Sequence, residues 1–238
     1  MKIGICEDEL PVAQDIENRA SAFFNDRGYY PSVEIFTDGK SLLESPQQFS
    51  LVFLDCRLPD GNGLEVARIL DSYKPKPIIV FISAYKEYVF ESFEVNAYRY
   101  LVKPVDDFTL NKTLNSFLAY YNSNIVIDIP TKNKRFSVYL NDVIYIESSQ
   151  KHSIVRVCKS DYLPDTTFDA VRSLAEYTKM IDSPAFFRTH KRFFVNMRYI
   201  EKIENNLIIL SIGERVEISR RKRAVFHDAY NHFLRTSI

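Results

Sequence analysis

The chain has 238 residues and equal numbers of basic and acidic side chains, 31 Lys and Arg against 31 Asp and Glu. Hydrophobic residues at 46% and charged residues at 26% exclude a largely disordered protein, and the length suits two domains. No apolar stretch approaches the roughly 20 residues of a membrane span, so we expect no membrane partner.

In the first half, short apolar runs alternate with stretches of helical spacing. The runs predict strands at Lys2–Cys6, Ser32–Thr37, Leu51–Leu54, Ile78–Ile82 and Tyr98–Val102. The helical patterns lie at Val12–Phe24, Gly39–Leu43, Gly63–Tyr73, Glu87–Val95 and Asp107–Tyr121. Five β-α units predict an α/β fold whose parallel sheet, in the order 2-1-3-4-5, is covered on both faces.

After Asn124 the segments become short and rich in Val, Ile, Tyr and Phe, which is typical of strands. They are Ile125–Ile129, Arg135–Tyr139, Val143–Ile146, Ser153–Val157, Phe193–Val195, Leu207–Ser211 and Arg215–Ile218. Two helices are predicted among them, at Phe168–Tyr177 and at roughly Arg221–Leu234. The sequence therefore predicts an α/β domain at 1–121, a linker at 122–125 and a mostly-β domain at 126–238.

The net charge of zero hides a division between these halves. Residues 1–123 hold 12 Lys and Arg against 18 Asp and Glu, a net −6, whereas residues 124–238 hold 19 against 13, a net +6. All four His residues also fall in the second half. A basic domain suggests an anionic partner such as nucleic acid, although the same charge spread evenly would be an ordinary solvated surface.

The cysteines predict the compartment. Cys6, Cys56 and Cys158 are odd in number and far apart, and they form no C-x-x-C pair. This usage fits a reducing compartment, so we expect a cytoplasmic protein. Cys56 could be redox-active, but a small buried thiol at a strand end is the simpler interpretation.

Acidic and polar residues follow the predicted strands of the first half. Glu7 and Asp8 follow the first strand, Asp55 the third and Ser83 the fourth, while Lys103 ends the fifth. Because the carboxyl ends of parallel strands meet at one edge of a sheet, we expect these groups to converge. Gathered carboxylates repel one another unless a hard divalent cation binds them, so the sequence predicts a Mg²⁺ site.

The same groups suit phosphoryl transfer. Asp55, central in the sheet, is the best candidate nucleophile, and Asp8 would bind Mg²⁺ directly and Glu7 directly or through water. Lys103 would pair with one phosphoryl oxygen and the Ser83 hydroxyl would donate to another. A phosphatase of the haloacid dehalogenase type is the alternative, but it would carry Asp-x-Asp where this chain has Asp-Cys-Arg.

Residues 1–121 resemble the CheY-like receiver domains of two-component systems, which have a flavodoxin-like (βα)5 fold. The motifs are Glu7-Asp8, Leu54-Asp55-Cys56-Arg57-Leu58-Pro59-Asp60-Gly61-Asn62-Gly63, Ser83-Ala84 and Tyr100-Leu101-Val102-Lys103-Pro104. The resemblance implies that Asp55 takes a phosphoryl group from the phosphohistidine of a sensor histidine kinase, and that the protein is not otherwise an enzyme. It also implies that the Arg57 backbone carbonyl is a metal ligand, that Tyr100 is an aromatic switch and that Lys103-Pro104 is a cis peptide.

Three basic clusters lie at the edges of predicted strands in the second half. They are Gln150-Lys151-His152, Arg188-Thr189-His190-Lys191-Arg192 and Arg220-Arg221-Lys222-Arg223. Basic side chains on loops can neutralise phosphates and reach base edges. A solvated charged turn would explain any one cluster, but three in one β-rich domain favour nucleic acid.

Residues 126–238 resemble the LytTR DNA-binding domain of regulators of bacterial peptide signalling, or quorum sensing, virulence and bacteriocin production. The motifs are Val143-Ile144-Tyr145-Ile146-Glu147-Ser148, the run from Phe187 to Asn196, Ile200-Glu201-Lys202-Ile203 and Val216-Glu217-Ile218-Ser219-Arg220. The resemblance implies small antiparallel sheets whose loops enter successive major grooves of double-stranded promoter DNA. It assigns DNA contacts to His152 or its neighbour Lys151, to Lys191 and to Arg220. Secondary candidates for phosphate contacts are His190, Arg192, Arg188 and Arg221.

Two hypotheses from different classes follow. The first is a phosphorylation-dependent transcription regulator that forms a homodimer on phosphorylation or DNA binding. The expected dimer surface is the last helix of the first domain together with Tyr85, Tyr88, Phe90 and Phe93. The second is a phosphorylation-controlled protein-interaction module whose basic domain docks on an acidic partner. An enzymatic output domain lacks support, because no triad, metal-ligand cluster or glycine-rich phosphate loop follows residue 124.

Overall fold

The computed structural model describes residues 1–150 and 152–236, and the chain divides into two units. The first unit is Met1–Tyr121, and the second begins at Asn122. No helix in the described part of the chain is both long and apolar enough to cross a membrane.

The first unit is a parallel sheet with helices on both faces. Its strands are β1 (Lys2–Cys6), β2 (Ser32–Phe36), β3 (Leu51–Leu54), β4 (Ile78–Ser83) and β5 (Arg99–Val102). Its helices are α1 (Leu10–Asn25), α2 (Gly39–Glu44), α3 (Gly63–Asp71), α4 (Val89–Glu94) and α5 (Asp107–Asn124). The strand order β2-β1-β3-β4-β5, with every neighbouring pair parallel, confirms the predicted α/β fold.

Alternate residues of the central strands supply two separate cores, one on each face of the sheet. Ile5 and Phe53 pack with residues of α1 and α5, whereas Cys6 and Leu54 pack with residues of α2 and α3. Because both faces of the sheet are covered, all four residues of β3 are buried and the strand is apolar throughout. The first polar residue after β3 is Asp55, so the nucleophile candidate lies where the buried strand ends.

The second unit consists of small antiparallel sheets, which confirms the predicted mostly-β fold. Its strands are β6 (Val126–Pro130), β7 (Arg135–Tyr139), β8 (Val143–Ser149), β9 (His152–Val157), β10 (Thr167–Ala170), β11 (Phe186–Phe187), β12 (Phe193–Asn196), β13 (Ile200–Glu204), β14 (Leu207–Leu210) and β15 (Arg215–Glu217). The sheets are β10-β9-β8-β12-β11, β13-β14-β15 and β6-β7. Helices α6 (Leu174–Met180) and α7 (Arg223–Thr236) pack on the shared core through residues such as Tyr177 and Phe226.

The predicted helix over Phe168–Tyr177 is wrong in its first half. Thr167–Ala170 is strand β10, in which Phe168 and Ala170 are buried whereas Thr167 and Asp169 are exposed, a period of two. Helix α6 begins only after Ser173, whose side chain and that of Glu176 form a capping box. The capping residues in the sequence are the signal that separates the two elements.

Among the other boundaries that differ from the sequence predictions are the starts of α4 and α7 and the end of α5. Lys86–Tyr88 and Arg220–Lys222 form single 3-10 turns before α4 and α7, so both α-helices start later than predicted. Helix α5 continues through Asn124, and residues 122–124 of the predicted linker are therefore helical. Nothing between Asp107 and Asn124 is a Gly or Pro that would end the helix.

Helix α3 begins directly against the backbone of Asp55. The Gly63 N–H donates to the carbonyl of Cys56 at 2.9 Å. A Cβ atom at Gly63 would lie 2.0 Å from the Asp55 carbonyl oxygen, which is closer than any real contact. Glycine at this position therefore lets the helix approach the candidate nucleophile.

We expect Gly63→Ala to lower the free energy of unfolding by about 2 kcal/mol, because the added methyl group displaces backbone that cannot rotate away. Helix propensity alone would give the opposite sign, a gain of up to about 1 kcal/mol. Urea unfolding followed by circular dichroism measures the change. Glu65→Ala, at an exposed position in the same turn, is the control, and a stabilised Gly63→Ala protein would contradict the proposed close approach.

Candidate functional site

Hydrogen bonding of the parallel sheet continues one residue beyond the ends of three strands and fixes the polar groups there. The Asp55 N–H donates to the Cys6 carbonyl at 2.9 Å. The Lys103 N–H donates to the Ser83 carbonyl at 3.0 Å, and the Glu7 N–H to the carbonyl of Phe36 at 2.9 Å. The backbone therefore places these side chains at one edge of the sheet, as the sequence predicts.

The side chains at this edge converge on Asp55. The Lys103 ammonium lies 2.6 Å from a carboxylate oxygen of Glu7 and 2.6 Å from Asp55 Oδ2. The Ser83 hydroxyl donates to Asp55 Oδ1 at 2.6 Å, and the Arg57 N–H donates to the same oxygen at 3.2 Å. Both oxygens of the Asp55 carboxylate are thus held by donors.

Burial governs the charge states in this pocket. Burial raises the pKa of Glu7, the ammonium of Lys103 lowers it in part, and the nearby Asp55 raises it again. Burial by itself would lower the pKa of Lys103, but its hydrogen bonds to Asp55 and Glu7 outweigh that effect and leave the pKa above its usual value. A charged Lys103 is therefore the group that lets two carboxylates share a desolvated space.

The acidic residues fit a hard divalent cation. One carboxylate oxygen each from Glu7, Asp8 and Asp55 lies within 4.8 Å of the others. Glu7 and Asp55 are buried whereas Asp8 is exposed, so the cluster opens to solvent on the side of Asp8. Carboxylate oxygens in this arrangement are the ligands that Mg²⁺ prefers.

Tyr100 connects the pocket with the segment after β4. Its hydroxyl donates to the backbone carbonyl of Tyr85 and lies 3.5 Å from the Cys56 sulfur, which donates to it. The Arg57 guanidinium stacks over the ring of Tyr85 at 3.7 Å. Burial raises the pKa of Cys56 to about 11, so it is a protonated, buried thiol at neutral pH. The Lys103-Pro104 peptide bond is cis, as predicted.

Asp60 lies in the receiver motif after β3, and its sequence context assigns it no role of its own. Its carboxylate accepts the N–H groups of Gly39 at 2.9 Å and Lys40 at 2.8 Å, at the start of α2. These backbone bonds lower the pKa of Asp60. Because α2 lies far away in sequence, no local pattern identifies this contact.

In the second unit, the basic clusters lie on loops that hydrogen bonds join. The Ser148 N–H in β8 donates to the carbonyl of Arg192 at 2.8 Å, and the Ser219 N–H donates to the carbonyl of Thr189 at 2.9 Å. We call the β8–β9 turn, the 188–192 loop and the 219–222 turn the basic loops. The structure therefore brings two of the predicted clusters against each other, and it joins the 188–192 loop to β8 two residues before Gln150, where the third predicted cluster begins.

Acidic neighbours separate the predicted DNA contacts into two groups. Three are paired: Arg192 bonds the Glu147 carboxylate, His190 lies 3.9 Å from that of Glu217, and His152 lies 3.4 Å from that of Asp169. Three are exposed and form no salt bridge with another residue of the described chain: Lys191, Arg220 and Arg221. Arg188 is half-buried and donates to the carbonyl of Lys191 at 3.2 Å. The alternative contact Lys151 lies outside the described residues.

Comparisons with known proteins cover both units. The response regulator receiver domain family matches residues 3–115, and the LytTr DNA-binding domain family matches residues 133–231. The chain belongs to the response regulators with a LytTR output domain. It is a regulator of transcription, and its receiver domain implies a histidine kinase partner while its LytTR domain implies DNA binding.

Known transcriptional and sensory regulators align with most of this regulator. The transcriptional regulatory protein YpdB of Escherichia coli K12 is 28% identical over 93% of this chain and 96% of its own length. The transcriptional regulatory protein LytR of Staphylococcus aureus is 24% identical over 92% of this chain and 95% of its own length. The sensory transduction protein LytT of Bacillus anthracis is 28% identical over 71% of this chain and 75% of its own length.

Solved structures match each unit of the regulator separately. The response regulatory domain of mrkE from Klebsiella pneumoniae is 28% identical and covers 51% of this chain and 98% of that domain, with a TM-score of 0.46. A LytTr DNA-binding domain from Bacillus cereus is 26% identical and covers 44% of this chain and 94% of that domain, with a TM-score of 0.38.

We expect Lys103→Met to destabilise the regulator by about 2 kcal/mol at pH 7 in metal-free buffer, because it leaves two buried carboxylates without a counter-ion. Part of this loss returns as the pH falls toward 5. The pKa of Glu7 is raised in the folded state, so the folded protein takes up a proton that the unfolded chain does not, and this uptake favours folding.

Urea unfolding at a series of pH values measures this effect. The control is Lys40→Met, which removes an exposed Lys that lies 3.8 Å from Glu44 and should cost less than about 1 kcal/mol. A Lys103→Met protein whose loss of stability is the same at pH 5 and pH 7 would show that the carboxylates do not govern it.

Proposed function

We propose that Asp55 accepts a phosphoryl group from a sensor histidine kinase and that this event controls binding to promoter DNA. The observation that carries the proposal is the buried Asp55 carboxylate with Ser83 on one oxygen and Lys103 on the other. The carboxylate oxygen is itself the proposed nucleophile, so no general base has to activate it. The protein is then a substrate of its own Mg²⁺-dependent phosphorylation and not an enzyme for separate substrates.

The chain's own groups account for the transfer. An Asp55 oxygen forms the new bond to phosphorus while the phosphorus–nitrogen bond of the kinase phosphohistidine breaks, and the imidazole leaves with that electron pair. Lys103 and Ser83, now bound to Asp55, are within reach to donate to the new phosphoryl oxygens. Bound Mg²⁺, held by Glu7, Asp8, Asp55 and the Arg57 carbonyl, would supply neutralisation of the phosphoryl charge.

The switch in this proposal runs through Ser83 and Tyr100. Ser83, whose hydroxyl would donate to a phosphoryl group on Asp55, lies at the end of β4, two residues before Tyr85. Tyr85 is also the residue whose carbonyl receives the Tyr100 hydroxyl, so a shift of this segment changes the surroundings of Tyr100. The state with Tyr100 held inward therefore accompanies Ser83 bound at the pocket.

We also propose that the receiver forms the homodimer through α4 and α5. Phe90 and Phe93 on α4 are 82% and 68% exposed, which is unusual for neighbouring aromatic side chains on one short helix. Burial of such residues favours self-association. Since α4 follows the segment that contains Tyr85, the phosphorylation pocket and this surface share one stretch of chain.

We expect Asp55→Asn to abolish phosphate incorporation from acetyl phosphate and to remove the phosphate-stimulated part of promoter binding. Asp60→Asn is the matched control. It changes another carboxylate of the same loop, one that caps α2, and this variant should incorporate phosphate normally. Radiolabelling, gel-shift assays and sedimentation velocity measure incorporation, DNA binding and dimer formation in the same samples. Equal labelling of Asp55→Asn and the unmodified protein would overturn the assignment.

For the output domain we propose that Lys191 and Arg220 contact bases or phosphates in the major groove, with Arg221 on phosphate. Two observations support this assignment. The three side chains are exposed and have no acidic partner in the described part of the chain, and the loops that carry them are joined by hydrogen bonds. His152, His190 and Arg192 would have to exchange an acidic neighbour for DNA, as secondary contacts. Lys151 remains a proposed alternative to His152. Contact with DNA places the protein in the cytoplasm.

We expect Arg220→Ala to weaken binding to a promoter fragment by about 1–3 kcal/mol and to reduce the preference for that fragment over random DNA, if Arg220 reads a base. Arg135→Ala is the control, because Arg135 is exposed on β7 in the same unit, away from the basic loops in sequence. Competition gel shifts measure the preference. An equal loss on every DNA sequence would make Arg220 a phosphate contact instead.

A further inference from the structure

Lys222 differs from the other basic residues of its cluster. Arg220 and Arg221 are exposed, whereas Lys222 is half-buried and its ammonium donates to the Arg188 carbonyl at 2.6 Å. The same ammonium lies 5.8 Å from the centre of the Phe187 ring. Burial, together with the charge of Arg188, lowers the pKa of Lys222. The charged end of this side chain is therefore turned toward the protein.

The bond from Lys222 is one of two that join a pair of basic loops. The carbonyl of Thr189, the residue after Arg188, accepts the N–H of Ser219 at 2.9 Å. The 188–192 loop belongs to the five-stranded sheet, and the 219–222 turn follows the three-stranded sheet. Two successive carbonyls of one loop are thus bound by donors from the next.

The two bonds respond differently to amino-acid substitution. The Ser219 bond comes from the backbone and is available to any residue there except proline. The Lys222 bond requires a long side chain that ends in a donor, placed so that the ammonium reaches the Arg188 carbonyl, for which the described part of the chain shows no second donor. With the backbone bond alone, the 188–192 loop and the 219–222 turn are joined at one point instead of two, and their relative ordering would have to be completed when DNA binds.

We propose that Lys222 is a positioning residue that holds Lys191 and Arg220 in the relative position that DNA requires, and that it does not itself contact DNA. The inference rests on the proposed assignment of the basic loops as the DNA-binding surface. Under this proposal Arg220 and Arg221 contact the DNA, whereas Lys222 holds the two loops together.

The test compares Lys222→Met with Arg221→Met in the full-length regulator. Both changes remove one positive charge at adjacent positions, so their long-range electrostatic effects are matched. The probe is a promoter fragment selected from genomic DNA by the unmodified protein, and its affinity is measured over a series of salt concentrations. We expect Lys222→Met to weaken binding roughly tenfold without changing the slope of log K against log salt. Arg221→Met should reduce that slope by about 0.9, the value for one phosphate contact.

The salt slopes and affinities also distinguish a wrong role for Lys222 from a wrong assignment of the DNA-binding surface. A slope reduced equally by Lys222→Met and Arg221→Met would make Lys222 a phosphate contact, and unchanged affinity in Lys222→Met would remove any role; either result overturns the proposal. Lys222→Arg, which retains a charged donor, should restore most of the affinity. Normal binding by Lys191→Ala, Arg220→Ala and Arg221→Met would instead show that the DNA surface itself is wrongly assigned.

A second measurement tests, without DNA, whether the bond from Lys222 to the Arg188 carbonyl holds the 188–192 loop. Within the loop, the N–H groups of His190 and Phe193 donate to each other's carbonyls at 3.4 and 3.2 Å. We expect these amides to exchange with solvent several-fold faster in Lys222→Met than in the unmodified protein or Arg221→Met, while thermal unfolding shows that all three are folded. Equal amide exchange rates in the three proteins would contradict a positioning role for Lys222, whatever the DNA-binding results are.

Discussion

The arrangement of the receiver depends on one shared ammonium group. Lys103 lies between the carboxylates of Glu7 and Asp55, and without it two desolvated negative charges would face each other. The sheet supplies the positions, since each of these residues follows a buried strand and is fixed there by a backbone hydrogen bond to its neighbour. The proposed phosphorylation of Asp55 would therefore change the partners within a charge network that already exists in the fold.

The sequence predicts most of the receiver because its signals are local and mutually consistent. A strand such as Leu51–Leu54 is apolar throughout since both faces of the sheet are covered, and the polar residue after it marks the edge. The mostly-β unit is harder to predict because its elements are short. The sequence pattern predicts one helix over Phe168–Tyr177, whereas the structure has strand β10 at Phe168 and a separate helix that begins after the capping residue Ser173.

What the sequence does not predict are contacts between residues distant along the chain. The stacking of Arg57 on Tyr85 and the capping of α2 by Asp60 depend on how the loops meet after folding. The same applies to the basic loops: the sequence presents Arg220, Arg221 and Lys222 as equivalent, and only the structure separates the exposed guanidinium groups from the ammonium that bonds a carbonyl. Charge in a sequence indicates a class of partner, whereas burial decides which charges can meet it.

The carboxylates beside the basic loops have a consequence for discrimination among DNA sites. Glu147, Asp169 and Glu217 offset part of the positive charge that surrounds Lys191 and Arg220. Attraction to the phosphate backbone is the same for every sequence, so a weaker field lowers affinity for the whole chromosome and leaves contacts with base edges unchanged. If the basic loops bind DNA, as proposed, a larger share of the affinity for the operator then comes from contacts that differ from one site to another.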